Sequence, residues 1–156
     1  MDTEFNGSSK TPTILVADGT FNHLRLMCDI LLEQFWMVRP VSKGGEIMKE
    51  ISDTSPDLII LDVMMPDIDG FELCTALKKN PATRHIPVII VTSLDDRESR
   101  LRGLQAGADG YFAKPVNRAE IQVSVRDLLQ MNKRCEQQRQ FTRESSSLDG
   151  RGLGGG

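Results

Sequence analysis

Four residues of this chain have side chains whose types and placement suit phosphoryl chemistry: Asp18, Asp62, Thr92 and Lys114. Asp62 ends the run Asp57-Leu58-Ile59-Ile60-Leu61 and is followed by Val63-Met64-Met65-Pro66-Asp67. A carboxylate delivered there, beside apolar neighbours, is costly to keep ionised unless cations or hydrogen-bond donors face it. The candidates to face it are Lys114 before Pro115, Thr92 after Val88-Ile89-Ile90-Val91, and Asp18 after Ile14-Leu15-Val16-Ala17. A carboxylate is a weak nucleophile, so such a set has to neutralise charge and align an attack rather than supply a strong base. Together the four point to an aspartate that accepts a phosphoryl group.

The elements that must position them are legible as alternation. Short apolar runs at Thr13–Ala17, Trp36–Val41, Leu58–Leu61, Val88–Val91 and Gly110–Ala113 predict five strands, the second the weakest. Unbroken Val/Ile/Leu runs are expected of strands covered on both faces. Between the strands the spacing is helical: Leu24, Met27, Leu31 and Leu32; Ile47 and Ile51; Phe71, Cys74 and Leu77 after a capping Asp69; Leu101 and Leu104 before a stop at Gly107; then Ile121, Val125, Leu128 and Leu129. Right-handed crossovers make this an α/β fold, a doubly wound five-stranded parallel sheet with helices on both faces. Ligands bind such sheets outside the carboxyl ends of the strands, where Asp18, Asp62, Thr92 and Lys114 all fall.

The chain has 156 residues, is 39% hydrophobic and carries a net charge of -3. That length suits a single core, and the acidic balance argues against direct nucleic-acid binding, which needs a basic face. Residues 1–113 hold 11 Lys/Arg against 17 Asp/Glu, while 114–156 hold 8 against 5, so the acidic part contains the site. Cys28, Cys74 and Cys135 are odd in number and lack metal-ligand spacing, which fits a reduced cytoplasm. The first ten residues have no basic start or apolar stretch, and no run approaches the roughly 20 apolar residues of a membrane helix. A soluble cytoplasmic protein without membrane contact is expected.

The order and spacing of Ile14-Leu15-Val16-Ala17-Asp18, Asp57 through Pro66, Asp69-Gly70-Phe71, Ile86-Pro87-Val88-Ile89, Val91-Thr92, Ala106-Gly107-Ala108-Asp109 and Lys114-Pro115 are together specific. Over about residues 12–132 the chain resembles a receiver domain of the two-component response-regulator family, of the chemotaxis type with a flavodoxin-like sheet. The resemblance implies that Asp62 is the phosphoacceptor, served by a histidine kinase or phosphotransfer protein, and that Lys114 binds a phosphoryl oxygen. It implies Mg²⁺ held by Asp18, Asp62 and the backbone carbonyl of Met64, and a cis Lys114–Pro115 bond. It also implies a switch in which Thr92 reaches for the acyl phosphate and Tyr111 rotates inward, changing the binding of an effector domain or downstream protein. No classical enzyme is implied beyond the domain's own phosphorylation and its hydrolysis.

One position departs from the pattern. The family has two adjacent acids after the first strand, and here they read Asp18-Gly19, so Gly19 replaces the second and the hold on Mg²⁺ is expected to weaken. A pseudo-receiver that binds partners without phosphate is therefore the competing reading, and a phosphatase with an aspartyl nucleophile is a third. The third fits poorly, because such enzymes need a second Asp where this chain has Met64. Taken singly, Asp18 also reads as a helix cap, Asp62 as a turn carboxylate, Thr92 as a local hydrogen bonder and Tyr111 as packing. His23 and His85 have no second ligand or base at motif spacing and are not expected to bind metal or carry phosphate. Outside the domain the expectations are a disordered arm over 1–11, a helical linker extension over 133–143 open to homodimerisation, and a disordered tail over 144–156. A single-domain regulator and the N-terminal part of a longer protein both fit.

Overall fold

A computed structural model of the chain describes residues 10–132. The linker and tail expected over 133–143 and 144–156, and all but the last two residues of the arm, lie outside the described residues. Five strands, β1 (Thr13–Ala17), β2 (Met37–Val41), β3 (Leu58–Leu61), β4 (Val88–Thr92) and β5 (Gly110–Ala113), form one sheet. They alternate with α1 (Phe21–Leu32), α2 (Ile47–Thr54), α3 (Gly70–Lys79), α4 (Arg97–Gln105) and a last helix, α5, over 118–132. The order across the sheet is β2-β1-β3-β4-β5, and every pair is parallel. This is the flavodoxin-like doubly wound arrangement expected from the alternating runs.

The strand runs are continuous because both faces are covered. Ile14, Val16, Leu58, Ile60, Ile89 and Val91 point to one side, where Met27, Ile30 and Leu31 of α1 and Ile121 and Val125 of α5 cover them. Leu15, Ala17, Ile59, Leu61 and Val88 point to the other, against Ile47 and Ile51 of α2 and Cys74 and Leu77 of α3. Each fully buried Leu or Ile contributes about 1.5–3 kcal/mol relative to exposure, and a one-residue slip would exchange the two faces, so the pattern holds the register. β2 is the weak strand because it is an edge: Met37, Arg39 and Pro40 are exposed and Val41 alone is buried. Proline, which has no N–H to lend the ladder, is tolerated at such an edge because one side of the strand has no partner.

Helix ends follow their local chemistry. Asp69 caps α3, its Oδ1 accepting from the N–H groups of Phe71 at 2.9 Å and Glu72 at 3.3 Å. Gly107 ends α4 at φ +88°, where a side chain would be strained. The buried side of α4 differs from the expectation. Leu101 and Leu104 are exposed, and the helix turns Ser99 and Gly103 inward. The reason is Tyr111: a Cβ on Gly103 would stand 2.7 Å from Tyr111 Cδ2, so the aromatic ring occupies the space a leucine would otherwise fill.

After α1 the chain turns through Phe35, which has φ 63° and is 88% exposed. Its N–H donates to the Leu32 carbonyl at 3.0 Å, so the residue serves as the helix stop in a conformation suited to glycine. A left-handed non-glycine residue costs about 1–2 kcal/mol, and glycine returns about 0.5–1 kcal/mol of that through unfolded-chain entropy. Phe35→Gly should therefore raise stability by about 0.5–1 kcal/mol, read as a higher urea midpoint at unchanged slope. A lower midpoint would show that the exposed ring contributes more than its backbone costs.

Candidate functional site

Three strand ends converge on one point because each is tied to its neighbour. The Asp62 N–H donates to the Ala17 carbonyl at 2.9 Å, the Asp18 N–H to Val41 at 3.1 Å and the Lys114 N–H to Thr92 at 2.9 Å. Residues just beyond β1, β3 and β5 are thereby held in ladder register at the carboxyl edge of the sheet. The Lys114–Pro115 peptide is cis, in keeping with the expectation.

Both aspartates are more than nine-tenths buried and divide their oxygens in the same way. Asp18 Oδ1 accepts from the Thr20 N–H at 2.9 Å, and Asp62 Oδ1 from the Met64 N–H at 2.9 Å. The remaining oxygens share one cation: Lys114 Nζ stands 2.7 Å from Asp18 Oδ2 and 2.9 Å from Asp62 Oδ2. Asp18 does not cap α1, whose first turn has no side-chain cap. The turn role foreseen for Asp62 is thus real, Asp18 makes a turn bond in place of the helix cap foreseen for it, and the second oxygen of each faces the shared cation.

The set also includes a histidine that has no partner at motif spacing along the chain. His23 Nδ1 lies 2.9 Å from Lys114 Nζ and 4.0 Å from Asp18 Oδ2. The signal was helical: His23 precedes the inward-facing Met27 by one turn and Ile30 by two, so it extends the buried stripe of α1 to the strand ends. His85 is not part of the cluster. Below these polar groups a cavity of about 320 Å³ runs between α1 and the Lys114-Pro115-Val116 loop, walled by Val16, Leu26, Met27 and Val91.

Gly19 follows Asp18 and contributes no side-chain oxygen. A Cβ there would stand 3.1 Å from Pro66 Cδ, so a larger residue needs Pro66 to yield slightly. Pro66 sits in a loop clipped to the turn after β2, where Asp67 accepts from the N–H groups of Gly44 and Gly45, each at 3.0 Å. Those two bonds hold the Asp67 carboxyl below the usual carboxylate range. Among the described residues no cluster of three or more His, Cys, Asp or Glu is arranged to hold an ion. The oxygens of Asp18, Asp62 and the Met64 carbonyl are nevertheless the hard donors Mg²⁺ takes, and Mg²⁺ completes its shell with water. The donors fit in kind, with few carboxylates.

Thr92 and Tyr111 form a second cluster beside the first. Thr92 is fully buried, and its Oγ1 accepts from the Leu94 N–H at 3.3 Å, while the Tyr111 hydroxyl donates to the Leu94 carbonyl at 2.5 Å. One residue's backbone therefore joins the two, and the Arg100 guanidinium lies 5.2 Å from the Tyr111 ring centre. Burial pushes the Tyr111 phenol up. The Met64 side chain is exposed, its Sδ accepting from Ser93 Oγ at 3.4 Å over the mouth of the site. Cysteine chemistry has no place here: Cys74 is buried, which pushes its thiol up to about 11. No helix among the described residues is long and apolar enough to cross a membrane.

Comparison with known proteins bears on this geometry. The family model for the response regulator receiver domain matches residues 14–126. The response regulator PleD of Caulobacter vibrioides is 38% identical over 133 residues, covering 85% of this chain and 29% of PleD. The transcriptional regulatory protein BaeR of Escherichia coli is 31% identical, covering 92% of this chain and 58% of BaeR. The chain thus spans less than two thirds of the length of these curated relatives. The signal receiver domain of a signal transduction histidine kinase from Syntrophus aciditrophicus superposes with a TM-score of 0.72 at 37% identity, over 77% of this chain and 91% of that one. With the sheet order and strand-end cluster in place, these matches show that the chain belongs to the response regulator receiver domain family of two-component systems.

Proposed function

We propose that this chain is a phosphoacceptor receiver in which Asp62 takes a phosphoryl group from a histidine kinase, a phosphotransfer protein or a small acyl phosphate. The observation that carries the reading is the Lys114 ammonium, shared between Asp18 and Asp62 at 2.7 and 2.9 Å at the mouth of a cleft. An Asp62 oxygen attacks phosphorus as the bond to the donor nitrogen or oxygen breaks. The leaving group keeps the electron pair and is protonated from solvent. Catalysis here is alignment and charge neutralisation, which a fixed ammonium beside the acceptor supplies. Asp18, Asp62 and the Met64 carbonyl would hold Mg²⁺, which when bound neutralises the phosphoryl oxygens.

Thr92 and Tyr111 are the readout of this proposal. A phosphoaspartate offers new acceptor oxygens; a Thr92 hydroxyl drawn to them disturbs the Leu94 backbone that also holds Tyr111, and the α4–β5–α5 surface changes with it. Partners are a kinase on the input side and an effector domain or downstream protein on the output side, in the cytoplasm. Homodimerisation through the segment after Met131 would serve the same output, and this domain itself touches no nucleic acid. A single-domain chemotaxis-type regulator and the first module of a longer protein would share the site. The competing pseudo-receiver reading draws on Gly19, which stands at the expected second acid. Under it, partner binding is indifferent to Asp62→Asn.

Acetyl phosphate with Mg²⁺ should add one phosphoryl mass to the wild type and none to Asp62→Asn, by intact mass spectrometry; equal labelling of the two would remove Asp62 as acceptor. Restoring the acid tests the metal. A carboxylate about 4 Å from a cation is worth roughly 4 kcal/mol per unit charge at an effective dielectric of 20, and water already supplies much of this. Gly19→Asp should tighten Mg²⁺ about ten-fold in a metal titration, with Gly19→Ala, which meets the same Pro66 ring, as the steric control. No tightening over Gly19→Ala would show that position 19 does not face the ion.

A further inference from the structure

An ammonium has three N–H donors, and in this site all three have protein acceptors: Asp18 Oδ2 at 2.7 Å, Asp62 Oδ2 at 2.9 Å and His23 Nδ1 at 2.9 Å. An ammonium offers no lone pair, so at this contact Nδ1 accepts and the ring proton sits on Nε2. We infer that His23 is a positioning residue that occupies the third donor of Lys114 in the resting site and gives it up when a phosphoryl oxygen arrives. The inference rests on Asp62 being the phosphoacceptor.

The three acceptors are unequal. The two carboxylates are charged and buried, and a hydrogen bond between two ions is roughly twice as strong as one between neutral groups. His23 is a neutral acceptor on a side chain that is 50% exposed, so the imidazole is the partner that can leave at least cost. It is also by far the most solvent-exposed of the three acceptors, the Asp18 and Asp62 side chains being 8% and 10% exposed. The phosphoryl oxygen therefore competes with Nδ1 for the ammonium rather than with either aspartate. Two consequences follow. The pairings of Lys114 with Asp18 and Asp62 survive the arrival of the donor, and the affinity of the site for a phosphoryl group is lowered by the strength of the contact that has to break.

Replacing His23 by leucine leaves the third donor to water, which a phosphoryl oxygen displaces more easily. Exchanging a protein acceptor for water is a modest change, which sets the expected effect at about three- to ten-fold. His23→Asn is the conservative variant, because its Oδ1 lies the same number of bonds from Cβ as Nδ1 and keeps an acceptor in place. The position is half-exposed on the first turn of α1, so neither change removes buried core. The experiment titrates beryllofluoride, a phosphoryl mimic, at saturating Mg²⁺ into the wild type, His23→Leu, His23→Asn and Asp62→Asn, reading bound fluorine by ¹⁹F NMR. His23→Leu should bind about three- to ten-fold more tightly than the wild type, and His23→Asn should return to wild-type affinity. Affinity unchanged or weakened in His23→Leu, or equal gains in both His23 variants, would overturn the placeholder role while leaving Asp62 as acceptor. Binding to Asp62→Asn as strong as to the wild type would overturn the acceptor assignment and the inference with it.

Discussion

Two carboxylates buried at the end of a parallel sheet would repel one another and lose most of their hydration, and here a single ammonium lies between them. Lys114 comes from 96 residues beyond Asp18 and 52 beyond Asp62, so the pairing closes the sheet's central and outer strands around one charge. Breaking such a buried set by removing one partner leaves a charge without compensation, which is more damaging than the set is favourable. The arrangement is therefore better read as a constraint on function than as a source of stability. It keeps the Asp62 carboxylate and the Lys114 ammonium 2.9 Å apart.

The rest of the molecule serves that placement in layers. β1, β3 and β4 are buried on both faces, so their ends are the least mobile points at which to hang a side chain. The ladder bonds that continue one residue past the strands carry this rigidity into Asp18, Asp62 and Lys114. Around them the loops are held by polar clips rather than by core: Asp67 on the amides of Gly44 and Gly45, and Lys78 on Asp109 at 2.8 Å. The scaffold is thus fixed by core packing at its strand ends and by polar clips at its loops.

The surface beyond the site has the same division. α4 turns Ser99 and Gly103 inward and Leu101 and Leu104 to solvent, and at Gly103 it meets the Tyr111 ring with Ile90 beside it. Tyr111 in turn is tied to Leu94, whose N–H is tied to Thr92. A short chain of three residues thus connects the buried end of β4 to an exposed helix, with few apolar contacts to resist displacement.

Much of this was legible in the sequence, because burial on both faces of a strand forces unbroken apolar runs and a helix against a sheet forces a 3.6-residue stripe. The five strands, the Asp69 cap, the Gly107 stop and the strand-end placement of Asp18, Asp62, Thr92 and Lys114 all follow from one-dimensional patterns. Others did not follow, for a common reason. That Leu101 and Leu104 face solvent depends on Tyr111 filling the space over Gly103, and that His23 meets Lys114 depends on how the first turn of α1 and the residue after β5 come together beyond the strand ends. Spacing along the chain records which face of an element is apolar. Which groups meet across elements, at 2.7 or 2.9 Å and in what number, is decided only when the sheet closes and the helices pack upon it.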